Sequence, residues 1–248
     1  MIPKNHPRYE SLILRERIKN AYKDGYLADS GMIAHGRGEA FDYLLGEKTT
    51  VTAIQSIEVS VAMLLLAKNP VLSVNGNTTA LVLKEIINLA ILTNSKIEIN
   101  LFYRNKKRVE IISELYKKNG YNKILGTNNE KLKYLGNIQS PRATASENGI
   151  YSADLVLVAL EDGDRVEVLK KNDKNVIAID LNPLSRTAQM ADITIVDNII
   201  RAIPLMIKTI SKLKFKDENY LKDIVNEFSN ERNLKLSLKE IEKNSFIK

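Results

Sequence analysis

Residues 177–198 read IAIDLNPLSRTAQMADITIVDN. Two short, β-branched apolar runs, Val176–Ile179 and Ile193–Val196, are bounded by charge, the pattern of buried strands in an α/β sheet. Each run ends in a carboxylate followed by polar groups: Asp180-Leu181-Asn182 after the first and Asp197-Asn198 after the second. A polar loop carrying Arg186 and Thr187 joins them. In open α/β sheets, ligands bind just past the carboxyl ends of the strands. Carboxylates accept from ribose hydroxyls, an asparagine reads a base edge, and an arginine fork grips phosphate. The stretch reads as half of a nucleotide site; a surface loop of ordinary turn residues is the plain alternative.

The same alternation extends upstream. Val71–Val74 reads as a strand, Asn75-Gly76-Asn77 as a turn, and Thr78 or Thr79 as the cap of a helix running to Leu92. A strand at Ile97–Phe102, a Tyr103-Arg104 turn and a helix over 106–118 closed by Gly120 follow. Lys123–Leu125 reads as a short strand, 126–149 as irregular, Leu155–Leu160 as a strand, Glu161–Arg165 as a turn and 166–171 as a short helix. Downstream, Ile199–Leu213 is a strongly apolar helix, and two charged helices are expected around 218–228 and 237–244. Strands alternating with helices predict a parallel, doubly wound sheet flanked by helices. Before residue 69 the chain reads as helical: a helix over 9–24, a glycine-punctuated loop at Gly31–Gly38, a short helix at Glu39–Leu45 and a long one at Val51–Ala67. The expectation is one α/β domain over 1–248, with a helical part at 1–68, a core at 69–213 and C-terminal helices at 214–248.

Composition narrows the function classes. The chain has 248 residues and 44% hydrophobic content, enough for a substantial core. No apolar run reaches the roughly 18 residues of a bilayer span, and the N-terminus MIPKNHPRYE lacks the apolar segment of a secretory signal. With no cysteine, a cytoplasmic protein is expected. Two histidines, His6 and His35, leave little for a histidine-rich metal site. The net charge of +7 is spread among Lys residues interleaved with Glu and Asp, which favours small anionic ligands over nucleic acid or a membrane surface.

Other segments carry candidate chemistry. Asn75-Gly76-Asn77 lies between strand and helix, where a glycine allows close backbone approach and free N–H groups favour an anion. Neither G-x-x-x-x-G-K-[ST] nor G-x-G-x-x-G is present, which argues against a P-loop and against an NAD-dependent oxidoreductase. His35 and Arg37 sit between glycines, as an anion clamp would need, with His35 either a proton carrier or structural. Arg104 follows a strand and Arg142 lies in the irregular segment; both stand as further cations for the sheet edge, or as surface arginines paired with Glu. Arg15 and Arg17 occupy different faces of the first helix. Glu161-Asp162-Gly163-Asp164-Arg165 offers oxygen ligands for Mg²⁺, or is a solvated acidic turn.

Taken in order, IPKNHPRY (2–9), GMIAHGRGEAFDYLLGE (31–47), NPVLSVNGNTTAL (69–81), EINLFYR (98–104), GIYSADLVLVALEDGDR (149–165) and the opening stretch resemble archaeal phosphopantothenate synthetase, the 4-phosphopantoate–β-alanine ligase family, over residues 2–210. The resemblance implies a Rossmann-like homodimer in coenzyme A biosynthesis that joins 4-phosphopantoate to β-alanine, using ATP and releasing AMP and diphosphate. It places the ATP contacts on Arg15, Arg37, Asp180, Leu181, Asn182, Arg186, Thr187, Asp197 and Asn198. A phosphopantoate pocket of Asn75, Gly76, Asn77, Arg104 and Arg142 is our own reading of the residues. Arg15, Arg37, Arg186 and Mg²⁺ would offset the charge gathered when carboxylate meets triphosphate, and His35 or a carboxylate is the candidate base; the sequence assigns no metal ligands. Two alternatives stay open: an ADP-forming ligase working through an acyl phosphate, and a nucleotide- or sugar-phosphate-binding module without chemistry.

Overall fold

A computed structural model describes residues 3–6, 8–136 and 143–245. Three helices come first: α1 (Tyr9–Lys23), α2 (Asp29–Leu44) and α3 (Val51–Leu66). Then follow β1 (Pro70–Val74), α4 (Gly76–Leu92), β2 (Lys96–Ile99), α5 (Lys106–Lys118), β3 (Lys133–Tyr134) and β4 (Thr144–Ala145). The remainder is β5 (Leu155–Ala159), α6 (Gly163–Lys171), β6 (Asn175–Ile179), α7 (Arg186–Met190), β7 (Ile193–Ile195), α8 (Ile199–Leu213), α9 (Glu218–Asn226) and α10 (Asn230–Ser245).

The main sheet has the order β2-β1-β5-β6-β7 with every neighbouring pair parallel. From β1 the chain winds outward to β2, then returns to the other side of β1 and continues through β5, β6 and β7. The winding direction therefore reverses between β1 and β5, and the crevice at such a reversal is where doubly wound sheets bind ligands. Side chains alternate across the strands: Leu72, Val74, Leu157 and Ile177 belong to the large core shared with α3, α4 and α8, and Val71, Val156, Val158 and Val176 to a second core with α6. Burial on both faces explains why the strands read as continuous apolar runs.

Several local expectations change. Gly31–Gly38 is no loop but part of α2, despite three glycines. One of them is there for close contact: a Cβ on Gly31 would lie 2.7 Å from Asn77 Oδ1 and from Leu27 Cδ1, whereas one on Gly38 would make only an ordinary contact with Leu181. Tertiary packing thus overrides a poor helix propensity. Asn75, rather than Thr78 or Thr79, caps α4, in a capping box with Thr78. The strand after Ile97 ends at Ile99, where Asn100 N turns to donate to Val74 O. Residues 123–125 form only a single bridge, Glu98 with Leu125. The segment 126–149 carries the antiparallel pair β3–β4. The loop between β6 and β7 contains α7, capped by Ser185 Oγ accepting from Ala188 N at 2.9 Å. Helix α6 starts at Gly163 under an Asp162 cap, and the last helix begins at Asn230. In α4 the backbone breaks at Val82 (φ −142°, ψ 30°), and Arg17 Nη1 donates to Leu81 O beside the break. Among the described residues no helix is long and apolar enough to cross a membrane.

Candidate functional site

The crevice between β1 and β5 opens into a cavity of about 690 Å³. Asn75 sits at its base, where Nδ2 donates to Ala159 O (3.0 Å) and Leu160 O (3.3 Å) and so bridges the two strand ends. Leu160 takes a left-handed backbone, φ 52°, at the end of β5. That conformation is costly for a branched residue and concentrates at functional sites. Leu160 thereby re-aims the chain so that Glu161, Asp162 and Asp164 line the cavity. From the next strand, Asp180 accepts from Asn182 N (2.9 Å) and Ser185 Oγ (2.5 Å), which folds the β6–α7 loop over the opening. Thr187 Oγ1 donates to Glu161 O at 2.9 Å, tying α7 to the β5–α6 turn. Arg37 enters from α2, Arg108 from α5 and Arg186 from α7. Arg186 spans Asp164 and Glu167, each at 2.6 Å.

A second cavity, about 410 Å³, lies behind a shared wall of Gly38, Leu160 and Leu181. His35, Glu39 and Asp42 reach it from α2, and Asp197, Asn198 and Arg201 from the β7–α8 junction. Asp197 is fully buried. Its Oδ1 accepts from Arg201 Nε (2.9 Å), Arg201 Nη2 (2.6 Å) and Asn198 N (2.7 Å), and its Oδ2 from Thr49 Oγ1 (2.6 Å).

Residues 52–244 match the family described as phosphopantothenate/pantothenate synthetase. The chain belongs to that family. It is 51% identical over 234 residues to a 4-phosphopantoate–β-alanine ligase of Thermococcus kodakarensis, covering 94% of this chain and 89% of the relative. A ligase of the same name from Thermococcus onnurineus is 52% identical over the same shares, and one from Methanosarcina mazei is 46% identical over 97% of this chain and 94% of its own length.

In this phosphopantothenate/pantothenate synthetase chain the expected nucleotide residues divide between the two cavities. Arg37, Asp180, Asn182, Arg186 and Thr187 line the first, Asp197 and Asn198 the second, and Leu181 stands in the wall between them. Arg15 lies behind Glu39, to which its Nε and Nη2 donate at 2.9–3.0 Å. Asn75, Gly76 and Asn77 line the first cavity. Gly76 is needed for a different reason than ligand approach: a Cβ there would meet Tyr26 O and Leu27 Cδ1 at 2.9 Å. Arg104 does not join the first cavity. Its Nη2 donates to Gly126 O (2.7 Å) and Thr127 O (3.1 Å), which commits it to backbone. Arg142 lies outside the described residues. Arg108, unmarked in the sequence, takes Arg104's place, with its Nη2 held by Tyr103 O at 2.6 Å. Only its position in the first turn of α5, after the Asn105 cap, could have singled it out.

Burial sets the ionisation of the site. It pushes the Asp180 carboxyl up, against hydrogen bonds from Ser185 and Asn182 and the field of Arg37. It pushes Asp197 up as well, against Arg201 and Thr49. Burial also acts on Glu39, but hydrogen bonds from Arg15 and Ser11 outweigh it and hold that carboxyl below its ordinary range. His35 is pushed below 6.5 by burial, in spite of Glu39 and Asp42, and its Nε2 is enclosed without a hydrogen-bond partner. At neutral pH it is an uncharged imidazole, able to accept a proton. Among the described residues no group of three or more His, Asp or Glu could hold a metal by itself.

Proposed function

We propose that this chain is an ATP-dependent ligase that condenses 4-phosphopantoate with β-alanine to 4′-phosphopantothenate, AMP and diphosphate, in coenzyme A biosynthesis. The observation that carries the proposal is the pair of cavities at the sheet's reversal point, with three arginines in the first and a neutral histidine in the second. The names of the relatives supply the substrates.

A carboxylate oxygen is a poor leaving group, so the acid must first be activated. In the proposed route a phosphopantoate carboxylate oxygen attacks the α-phosphorus of ATP. The bond to the bridging oxygen breaks and diphosphate leaves. The β-alanine nitrogen, in its neutral form, then attacks the acyl carbon. A C–N bond forms, the C–O bond to the phosphoryl group breaks, AMP leaves, and the nitrogen gives one proton to a base. The chain contributes position and charge rather than a covalent nucleophile. Arg37 and Arg186 meet the phosphates, Asp180, Leu181, Asn182, Thr187, Asp197 and Asn198 hold the nucleotide across the wall, and Asn75, Gly76 and Asn77 with Arg108 receive phosphopantoate. Arg15 acts on the site through Glu39.

Mg²⁺ commonly keeps several waters and binds through one or two carboxylates plus substrate phosphates. Glu161, Asp162 and Asp164 line the first cavity and are the groups that would meet it there. When bound, the ion supplies neutralisation of phosphate charge. A homodimer is part of the proposal: Ile33 and Tyr43 of α2 and Val51 and Ile54 of α3 are large apolar side chains left exposed on consecutive helices.

His35 is assigned as the base. Its lowered pKa keeps the imidazole neutral down to below pH 6.5, so turnover should fall only as pH drops through that lowered value. His35→Gln is expected to slow the amine step and to remove the acidic limb of the kcat–pH profile; an unchanged limb takes the role away from His35.

The reading is tested by product analysis with ATP, Mg²⁺, β-alanine and 4-phosphopantoate, beside unphosphorylated pantoate. AMP is expected only with the phosphorylated acid and β-alanine together. ADP would move the chemistry to an acyl phosphate, AMP with plain pantoate would overturn the substrate, and bound ATP without turnover would leave a binding module.

A further inference from the structure

We infer that Arg201 is a positioning residue of the ligase, setting Asp197 and Asn198 for the nucleotide and locking them to the helix that carries His35 and Arg37. The inference rests on the ligase reading above. It starts from a buried ionic cluster that the reaction scheme does not use. Arg201 Nη2 donates to Asp42 Oδ1 at 2.5 Å and to Asp197 Oδ1 at 2.6 Å, and Nη1 reaches Asp42 Oδ2 at 3.2 Å. Asp42 Oδ2 also accepts from Asn198 Nδ2 at 2.7 Å. The side chains of Asp42 and Asp197 are 8% and 0% exposed, and that of Arg201 is 21% exposed.

Stability alone is a poor explanation for such a cluster. A buried ion triad gains little over apolar residues of similar volume, because desolvation offsets the Coulomb attraction. Helix propensity does not explain it either: Arg201 lies in the first turn of α8, where the helix dipole disfavours a cation. What the cluster does achieve is orientation. Arg201 and Asn198 N occupy one oxygen of Asp197, and Thr49 approaches the other, so the carboxylate has a single rotamer and its remaining lone pair a fixed direction. Asn198 is fixed at both ends of its amide. Nδ2 is spent on Asp42, and Oδ1 accepts from Ile200 N at 3.3 Å as the α8 cap. Asp42 lies in α2 five residues after Arg37 and seven after His35. One guanidinium thus holds the β7–α8 junction in register with α2, across the second cavity that all four side chains line.

The test uses the full chain and steady-state kinetics with each substrate varied in turn. Arg201→Met is expected to raise KM for ATP about 10- to 100-fold, by analogy with the loss when groups that orient metal ligands are removed. KM for β-alanine should stay within about threefold, since the change acts through the nucleotide contacts. Added guanidinium ion should restore part of the ATP affinity. Arg201→Lys keeps the charge but loses the planar fork, and it should raise KM for ATP as well. A role confined to stability would lower the amount of active enzyme, and so apparent kcat, with no selective change in KM for ATP. Should Arg201→Met not fold, Arg201→Lys decides by the same comparison. A folded variant with unaltered KM for ATP, beside an active wild-type enzyme, overturns the inference. A wild-type protein without ligase turnover overturns the ligase reading instead.

Discussion

Replacing Arg186 with alanine should lower kcat/KM for the ligation about 10²- to 10³-fold, the effect of removing one preorganised charge from a site of this kind. The protein should barely lose stability. The Arg186 side chain is 60% exposed, and its two ion pairs, with Asp164 and Glu167, are of the surface kind that contributes at most about 1 kcal/mol. Its position is nevertheless built with care. A Cβ on Gly163 would come within 2.7 Å of Arg186 Cβ, so α6 carries glycine where α7 crosses it. Asp164 and Glu167 hold the fork at the rim of the first cavity, and in the proposed mechanism a phosphate, a better bidentate partner, draws it in. Arg186→Lys, which retains the charge but not the fork, should fall between alanine and wild type. Unchanged kcat/KM for the alanine variant, measured with all three substrates, would contradict the role.

The largest loss of stability is expected at Gly149→Ala. The demand there is for space beside a buried carboxyl. A Cβ would stand 2.0 Å from Glu98 Oε2. Glu98 is buried and accepts from Ser146 N (3.0 Å) and Ile150 N (2.6 Å), and burial pushes its carboxyl up despite those bonds. Displacing it strands two buried N–H groups and a carboxylate together. The cost should be about 3–5 kcal/mol, as for breaking other buried charged contacts, read as a lower urea midpoint. A loss under about 1 kcal/mol, typical of a surface change, would show that the loop yields and that Glu98 is not the constraint.

Much of the fold was legible because the strands are β-branched and their ends are charged. Helices α5 and α8 begin and end where periodicity put them, at 106–118 and 199–213. Helix α2 was illegible for a physical reason. Its glycines argue for a loop locally, and only at Gly31 does the close approach of Asn77 and Leu27 call for one. The first cavity was legible from the rule that ligands sit at strand ends, which led to Asn75, Asp180, Asn182 and Thr187. The cations were harder, because an arginine's partner is chosen in space. Arg104 was lost to carbonyls of Gly126 and Thr127, in a segment without any periodic pattern. For Arg201 the sequence shows only the i,i+4 spacing to Asp197, an ordinary helix-surface pair, while its other partner, Asp42, is 159 residues away in the chain.

The most direct test of the account is the fate of oxygen. 4-Phosphopantoate carrying ¹⁸O in its carboxylate would be turned over with ATP, Mg²⁺ and β-alanine, and the products examined by mass spectrometry. Attack on the α-phosphorus predicts one ¹⁸O in AMP and none in inorganic phosphate or diphosphate. Label in inorganic phosphate, with ADP as the nucleotide product, would contradict it.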